Sequence, residues 1–195
     1  MKHAVIVGHP NPESFNLTIA RSYCDAVRER GHEADLRDLY RMNFDPLLRD
    51  EELVAPGKAK PAADVVAERQ TIGAADVFAF VYPLWFNAPP AIIKGYMDRV
   101  FGFGFGFGPI AQGGNAPLLE GKRLLSFSSS GAPADWVRKE GALAAVRNLF
   151  DEHFAAVCGM KLLDHVHFGG IKPMMAPRVV DEAITTVQAT VTRLF

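Results

Sequence analysis

Residues 76–83 read Asp-Val-Phe-Ala-Phe-Val-Tyr-Pro, and residues 4–8 read Ala-Val-Ile-Val-Gly. Both stretches contain a continuous apolar run rich in β-branched or aromatic residues, and each run ends at a residue that disfavours a strand. Continuous apolar character is typical of strands that are covered on both faces, as in a parallel sheet. The two stretches therefore predict inner strands of a parallel β-sheet.

Helical periodicity separates these strands. Between Ile19 and Val27 apolar residues recur every three or four positions, and Gly31 provides a stop. The same alternation continues along the chain. Further strands are predicted at 34–39, 124–127 and 160–167, and further helices at 61–72, 90–101, 137–157 and 179–195. Residues 41–60 are predicted to form an irregular loop. Alternating strands and helices imply parallel strands joined by right-handed crossovers. The pattern predicts an α/β fold, a flavodoxin-like three-layer sandwich with a five-stranded parallel sheet.

The composition is that of a globular protein. The chain has 195 residues, so residues 1–195 are expected to form a single domain. Hydrophobic residues make up 49% and charged residues 22%, which excludes an intrinsically disordered chain. The formal net charge of -1 provides no positive field for a polyanion, so we do not expect nucleic acid as a partner.

The sequence also indicates where in the cell the protein is located. The apolar run at 4–7 is too short for the core of a signal peptide, and no uncharged apolar stretch reaches the roughly 18 residues of a membrane helix. Cys24 and Cys158 are too few for a disulfide framework and fit a reducing compartment. We therefore expect a cytoplasmic protein without an integral membrane segment.

Three loops should meet at one edge of the sheet. Residues 9–16, 83–90 and 128–136 follow the first, third and fourth predicted strands, and ligands of such folds bind beyond the carboxyl ends of the strands. Ser14 is placed to cap the following helix, whose free N–H groups would suit an anion, although Ser14 as a helix cap alone is an equal alternative. Trp85 could cover a flat ring or pack as an ordinary core aromatic.

Other sites are weakly supported. The glycines among residues 101–108, which alternate Phe and Gly, do not have the spacing of a dinucleotide-binding loop, and Gly121-Lys122 is followed by Arg where a Walker loop needs Ser or Thr. His165 and His167 would share one face of a strand, but two histidines lack the further ligands of a zinc site, so no metal is expected. The alternating Phe-Gly segment is interpreted either as a loop covered by a dimer partner or as a wall of the substrate pocket.

The ordered set of loops resembles the NAD(P)H:quinone oxidoreductase branch of the flavodoxin-fold enzymes. The residues that carry the resemblance are His9 to Asn16, Asp38 to Pro46, Tyr82 to Phe101, especially its Pro-Ala-Ile-Ile-Lys-Gly-Tyr portion, and the serines at 128–130 with Gly131. The resemblance implies a flavin, either FAD or FMN, as the cofactor.

The resemblance also implies roles for particular residues. Contacts to the flavin phosphate and ribityl region are implied for His9, Ser14, Phe15 and Asn16. Contacts to the faces of the ring are implied for Pro83, Leu84, Trp85 and Phe86, and contacts to its polar edge for Ser128, Ser129 and Gly131. Weaker matches, near the diphosphate or adenine, are Ile171 and Arg178. The substrate pocket is expected to include Phe107 and Trp136.

One departure from the family pattern concerns proton transfer. Mammalian-type members place a tyrosine and a histidine after the fourth strand, whereas this chain has Trp136 and Ala142 near those positions. An indole cannot act as a general acid at neutral pH. No catalytic side chain is therefore assigned, and the flavin is expected to carry the chemistry.

Two hypotheses of function follow from the resemblance. The first is an NAD(P)H dehydrogenase that transfers hydride from NAD(P)H through the flavin to a quinone or similar flat acceptor by a ping-pong cycle. The alternative is a regulatory flavoprotein subunit of the potassium-efflux type with little turnover, which the missing tyrosine and histidine would suit. The resemblance implies a homodimer in either case.

Overall fold

The computed structural model describes residues 1–53, 60–109 and 114–195. The strands are β1 Lys2–Val7, β2 Glu33–Asp38, β3 Val77–Pro83, β4 Phe107–Pro109, β5 Asn115–Pro117, β6 Arg123–Ser129 and β7 Lys161–Phe168. The α-helices are α1 Phe15–Glu29, α2 Ala63–Ile72, α3 Ala91–Val100, α4 Ala134–Lys139, α5 Ala142–Val146, α6 His153–Cys158 and α7 Pro177–Leu194. A 3-10 turn spans Asp50–Glu52, and a π-helical turn, Arg147–Glu152, joins α5 to α6.

Five strands form one parallel sheet in the order β2-β1-β3-β6-β7. Strands β1, β3 and β6 lie inside the sheet, and all seven residues of β3 are buried. This order confirms the predicted flavodoxin-like α/β fold with a five-stranded parallel sheet. Because β1 and β3 are neighbours in the centre, the loops that follow them lie side by side.

Each face of the sheet packs against its own apolar core. One core joins Val5, Val81 and Phe127 to α1 and α7, and the other joins Ile6, Phe80 and Leu124 to α2, α3 and the α4–α6 segment. Neighbouring residues of each strand thus contribute to opposite cores, as expected for a strand covered on both faces. The three layers hold the carboxyl ends of the strands rigidly under the loops.

The predicted long helix at 137–157 is wrong. The helical segment begins earlier, at Ala134, and is interrupted at Gly141, which adopts a φ of 73° that favours glycine. A second irregularity, the π-helical turn at 147–152, separates α5 from α6. Apolar spacing alone does not reveal either break, since residues on both sides of Gly141 still face the same core.

The predicted loop at 41–60 contains the 3-10 turn Asp50–Glu52, and residues 54–59 of that loop lie outside the described residues. The alternating Phe-Gly segment is not simply an exposed loop. Phe101 is buried and Phe105 is partly buried, and both pack edge to face against Phe78, so half of the phenylalanines stabilise the core. The segment ends in β4, which pairs with β5 in an antiparallel ribbon.

No helix among the described residues is long and apolar enough to cross a membrane. Cys24 and Cys158 are buried free thiols in the two cores. Burial raises the pKa of both thiols, to about 11 for Cys24 and about 12 for Cys158. The two cysteines are therefore core residues.

Candidate functional site

A cleft of about 620 Å³ lies beyond the carboxyl ends of β1, β3 and β6. Its volume is in the range of small-molecule and cofactor sites. Three loops that the sequence places at this edge contribute to the lining, together with the segment that follows β7. The lining residues that were predicted from the sequence are His9, Ser14, Phe15, Asn16, Pro83, Leu84, Trp85, Ser129, Gly131 and Ile171.

The first loop ends in a capped helix. The backbone N–H of Leu17 donates to Ser14 Oγ over 3.3 Å, so Ser14 is the N-cap of α1. The N–H groups of Phe15 and Asn16 have no acceptor among the described residues, because they belong to the first helical turn. The first turn of α1 carries no acidic residue. This end of the cleft can therefore bind an anion through backbone donors and the helix dipole.

Side chains hold the loop in place. Arg41 donates to the carbonyl of Pro10 over 2.8 Å and to the carbonyl of His9, and it pairs with Asp38 at 3.0 Å. The backbone N–H of Asn11 donates to His9 Nδ1 over 3.1 Å. Arg41 thus fixes the carbonyls on the outer side of the loop, which leaves the N–H groups of the helix facing the cleft.

His9 supplies a neutral donor beside the anion site. Burial lowers the pKa of His9, and the nearby Arg41 lowers it further. Because Nδ1 accepts from the Asn11 backbone, the neutral ring carries its proton on Nε2. An uncharged N–H donor at this position can bind a phosphate or hydroxyl oxygen.

The loop after β3 forms an aromatic wall. Trp85 and Ala88 exchange two backbone hydrogen bonds of 3.0 and 3.1 Å around a tight turn, in which Phe86 and Asn87 have φ values of 51° and 56°. Trp85 is 44% exposed and lies 5.9 Å from the His9 ring, measured between centroids. An exposed indole beside a cleft is a surface on which a flat ring can stack.

The end of β6 forms the opposite, polar edge of the cleft. Ser129 Oγ donates to Asn16 Oδ1 over 3.1 Å, and the Ser129 carbonyl accepts from the Leu84 backbone over 2.6 Å. A Cβ on Gly131 would meet only the Ile171 carbonyl, at 3.7 Å, so the backbone is open here. Small hydroxyl residues and an open glycine permit a ligand to approach the main chain closely.

Five of the predicted site residues do not line this cleft. Phe86 is fully exposed at the tip of the turn after Trp85, and Arg178 is exposed in the first turn of α7. Trp136 is half exposed on α4. Phe107 lines a smaller cavity of about 140 Å³ with Arg69 and Arg99.

Ser128 differs from its predicted role at the ring edge. It is buried, and its hydroxyl lies 2.6 Å from His165 Nε2 and 2.8 Å from His167 Nδ1, on the side of the sheet that faces α4–α6. Side chains alternate across a strand, so Ser128 and Ser129 point to opposite faces. Among the described residues, no three His, Cys, Asp or Glu side chains are grouped as metal ligands.

The structure adds residues that the sequence analysis missed. Ser130 and the segment Lys172 to Met175 line the cleft, and Met174 is fully exposed with a φ of 59°. Ser130 follows the two serines already chosen, so its neighbours indicated it. The segment after β7 has no pattern that points to a ligand, because its position depends on how the chain returns from β7 to α7.

Comparison with known proteins agrees with this architecture. The "Uncharacterized NAD(P)H oxidoreductase" of Haemophilus influenzae is 34% identical over 172 residues, which cover 88% of this chain and 85% of that protein. The rat NAD(P)H dehydrogenase (quinone) 1 is 28% identical over 145 residues, which cover 66% of this chain and 53% of the rat protein. The chain thus matches about half the length of that larger relative.

A solved structure is similar over the whole chain. The NAD(P)H:quinone oxidoreductase from Methanothermobacter marburgensis has a TM-score of 0.88 and 25% identity, and the match covers 100% of this chain and 99% of that one. The model of the family described as flavodoxin-like fold matches residues 1–191. This match and the 34% identical relative show that the chain belongs to the Flavodoxin_2 family of flavodoxin-like folds.

Proposed function

We propose that this protein is a flavin-dependent NAD(P)H oxidoreductase that reduces a quinone or a similar flat acceptor. The observation that carries the proposal is the cleft, in which free helical N–H groups, an exposed indole and an open Ser-Gly edge surround one space. The names of the relatives as NAD(P)H oxidoreductases support the same activity. They favour turnover over the alternative of a regulatory subunit.

The start of α1 would hold the phosphate of the flavin. The N–H groups of Phe15 and Asn16 point from a helix N-terminus without an acidic first turn, and the neutral His9 ring adds a donor. Ser14 would contribute indirectly, because its hydroxyl is used to cap the helix and orient these donors. The ribityl chain of the flavin would then lie beside Asn16.

The ring system would lie between the two other loops. Pro83, Leu84 and Trp85 would flank its face. Phe86, exposed on the adjoining turn, would come next to the ring only if the turn moved on binding. The polar edge of the ring would meet Ser129 and Gly131. When bound there, the flavin supplies the hydride chemistry, taking hydride from NAD(P)H and passing it to the acceptor in a ping-pong cycle.

The same contacts serve FMN and FAD, because both contain the ring, the ribityl chain and the first phosphate. An adenine would need further contacts, for which Ile171 lies on the lining and Arg178 lies outside it on α7. Mass spectrometry of flavin released by heat distinguishes the two cofactors.

We further propose a homodimer in the cytoplasm, with the partner completing the acceptor site. Trp85, Phe86 and Met174 are exposed beside the cleft, and apolar side chains grouped in this way are typical of interfaces. Phe107 and Trp136 lie away from the cleft of their own chain, so they would reach an acceptor only across such an interface. The free cysteines suit a reducing compartment.

The test begins with the absorbance spectrum of the purified protein, followed by anaerobic titration with NADH and with NADPH. A bound flavin that either nucleotide bleaches, and that a quinone reoxidises repeatedly, is the expected result. A flavin that no nucleotide reduces would favour the regulatory role. A colourless protein that takes up neither FMN nor FAD would contradict the proposal.

A further inference from the structure

A chain of hydrogen bonds runs from the buried core to the cleft. Asp151 Oδ2 lies 2.5 Å from His165 Nδ1, and both side chains are completely buried. His165 Nε2 lies 2.6 Å from Ser128 Oγ, which lies 2.8 Å from His167 Nδ1. The other nitrogen of the His167 ring, Nε2, lies 3.0 Å from Ser130 Oγ, and Ser130 is on the cleft lining.

Two features of the backbone build this chain. In the parallel register of β6 and β7, Ser126 is opposite His165 and Ser128 is opposite His167, after an irregularity in the pairing at Leu124/Leu125. Asp151 comes from the π-helical turn 147–152, and turns of this kind occur frequently at functional sites.

The hydrogen bonds can be satisfied in two ways that differ by one proton. In the first, His165 is an imidazolium that donates to Asp151 and to Ser128, Ser128 donates to His167 Nδ1, and His167 Nε2–H donates to Ser130. The Ser130 hydroxyl then donates to the Ala132 carbonyl over 2.9 Å. Every donor and acceptor of the chain is used.

In the second arrangement His165 is neutral, with its remaining proton on Nδ1 toward Asp151. Ser128 donates to His165 Nε2, His167 donates from Nδ1 to Ser128, and Ser130 donates to His167 Nε2. The Ala132 carbonyl keeps a partner, because it accepts from the Gly170 backbone over 2.8 Å. This arrangement also satisfies every member of the chain.

We propose that Asp151, His165, Ser128, His167 and Ser130 form a proton relay that delivers one proton from His165 to the cleft. The proton on His165 Nε2 moves to Ser128 Oγ, the Ser128 proton to His167 Nδ1, and the His167 Nε2 proton to Ser130 Oγ. Ser130 releases its own proton to a basic atom of the ligand bound in the cleft. Reduction of a quinone by NAD(P)H consumes one proton, which this relay supplies, and solvent reloads it.

The surroundings of the relay suit this task. Burial, His165 and Arg138 lower the pKa of His167 to about 4, so His167 passes a proton on without retaining it. Asp151 Oδ2 accepts from His165 Nδ1 in both arrangements. The Tyr82 ring packs edge to face with the His165 ring, with 6.3 Å between the ring centroids. Burial raises the pKa of the Tyr82 hydroxyl well above the usual value, so Tyr82 stays neutral. The relay thus provides a proton donor in a chain that lacks the tyrosine and histidine pair.

The first experiment follows the imidazole nitrogens by NMR in the full-length, flavin-free chain labelled with ¹⁵N-histidine. As His165 loses its second proton with rising pH, His167 is expected to change from the Nε2–H to the Nδ1–H tautomer while remaining neutral. Ser128→Ala should abolish this coupling. Thr190→Val is the matched control, because Thr190 is also a buried hydroxyl residue and its hydroxyl donates to the Thr186 carbonyl, outside the relay.

A tautomer of His167 that does not change while His165 titrates, or a His165 that never takes a second proton, would overturn the relay. A merely structural hydrogen-bond cluster would show no tautomer exchange. His165→Gln is a second variant, which should hold His167 in one tautomer at every pH if Ser128→Ala fails to fold.

The delivery step rests on the proposed function, and a second experiment tests it in flavin-loaded protein. Proton uptake during anaerobic turnover is measured with a pH indicator, and S128A is expected to slow it about a hundredfold while T190V follows the wild type. The dissociation constant for flavin should be the same in both variants. If the wild type bound no flavin, the proposed function would fail while the NMR result still decided the relay. Equal uptake rates in S128A and T190V would overturn the relay alone.

Discussion

Ser129 Oγ donates a 3.1 Å hydrogen bond to Asn16 Oδ1, which joins the end of β6 to the first turn of α1 across the floor of the cleft. The two residues are 113 positions apart in the sequence, and both are buried. The bond aligns the polar edge of the cleft with its anion-binding end. The subsites that we propose for the ring and the phosphate of a flavin are therefore held at a constant separation.

Removal of this bond should weaken flavin binding. We expect Ser129→Ala to lose about 1 kcal/mol of binding free energy, which is about fivefold in Kd, because one neutral hydrogen bond is lost. Titration of flavin fluorescence measures the change. Thr71→Ala removes a hydroxyl on the exposed face of α2 and serves as the control. Equal affinities in the two variants would contradict a role of the Ser129–Asn16 bond in the site.

The two interpretations of Ser14 can be separated by charge. Ser14→Asp keeps a good N-cap and suits the helix dipole, so its thermal stability should stay near that of the wild type, whereas Ser14→Ala should lose about 1 kcal/mol. A carboxylate beside the anion site should nevertheless weaken FMN binding by at least about tenfold.

Riboflavin, which lacks the phosphate, is the matched ligand for the Ser14 experiment. Its affinity should change little in Ser14→Asp, because no like charges meet. If FMN and riboflavin lost the same affinity, the start of α1 would be a helix cap and no phosphate site.

The turn after Trp85 carries backbone strain at Phe86. Phe86 is fully exposed and adopts a φ of 51°, a conformation that Asn tolerates better than Phe. Phe86→Asn is expected to raise the free energy of unfolding by about 1 kcal/mol, measured by urea denaturation of the flavin-free protein. Asn87→Ala in the same turn should lower it by a similar amount. A loss of stability in Phe86→Asn would show that the phenyl ring contributes to the fold.

Acid should destabilise the protein between pH 6.5 and about 4. Burial, then His32 and the N-terminal amine, lower the pKa of His3 to about 4, and Tyr23 and His32 contact its two ring nitrogens at 2.7 and 3.0 Å. The unfolded chain binds this proton first as the pH falls, because its pKa is near 6.5. The contribution of His3 is thus complete above pH 6.5 and is lost toward pH 4. His167 acts in the same direction.

Urea unfolding midpoints across this pH range measure the effect. His3→Asn should make the decline less steep than in the wild type, since one group with a lowered pKa is removed. The difference between the unfolding midpoints of wild type and His3→Asn at pH 8 gives the loss of stability that the substitution causes without any titration of His3. A decline of unchanged steepness would show that His3 is not the titrating group.

The fold and much of the candidate site could be predicted from the sequence, because both depend on local pattern. Continuous apolar runs at 4–7 and 77–82 mark strands that only a parallel sheet can bury, and the carboxyl ends of such strands bring their loops together. Most residues assigned to the flavin lie within these loops and line one cleft. Their roles in binding stay predictions until flavin is measured.

Tertiary structure alone decided the direction and partners of side chains. Ser128 and Ser129 are neighbours in the sequence, yet one faces the helices α4–α6 and the other the cleft, since strand residues alternate between faces. The relay from Asp151 to Ser130 depends on the register of β6 and β7 and on the π-helical turn, and its contacts join residues up to 39 positions apart. Local sequence specifies which segments become strands and helices, but the register between segments is set by packing, and here that register connects the core to the cleft.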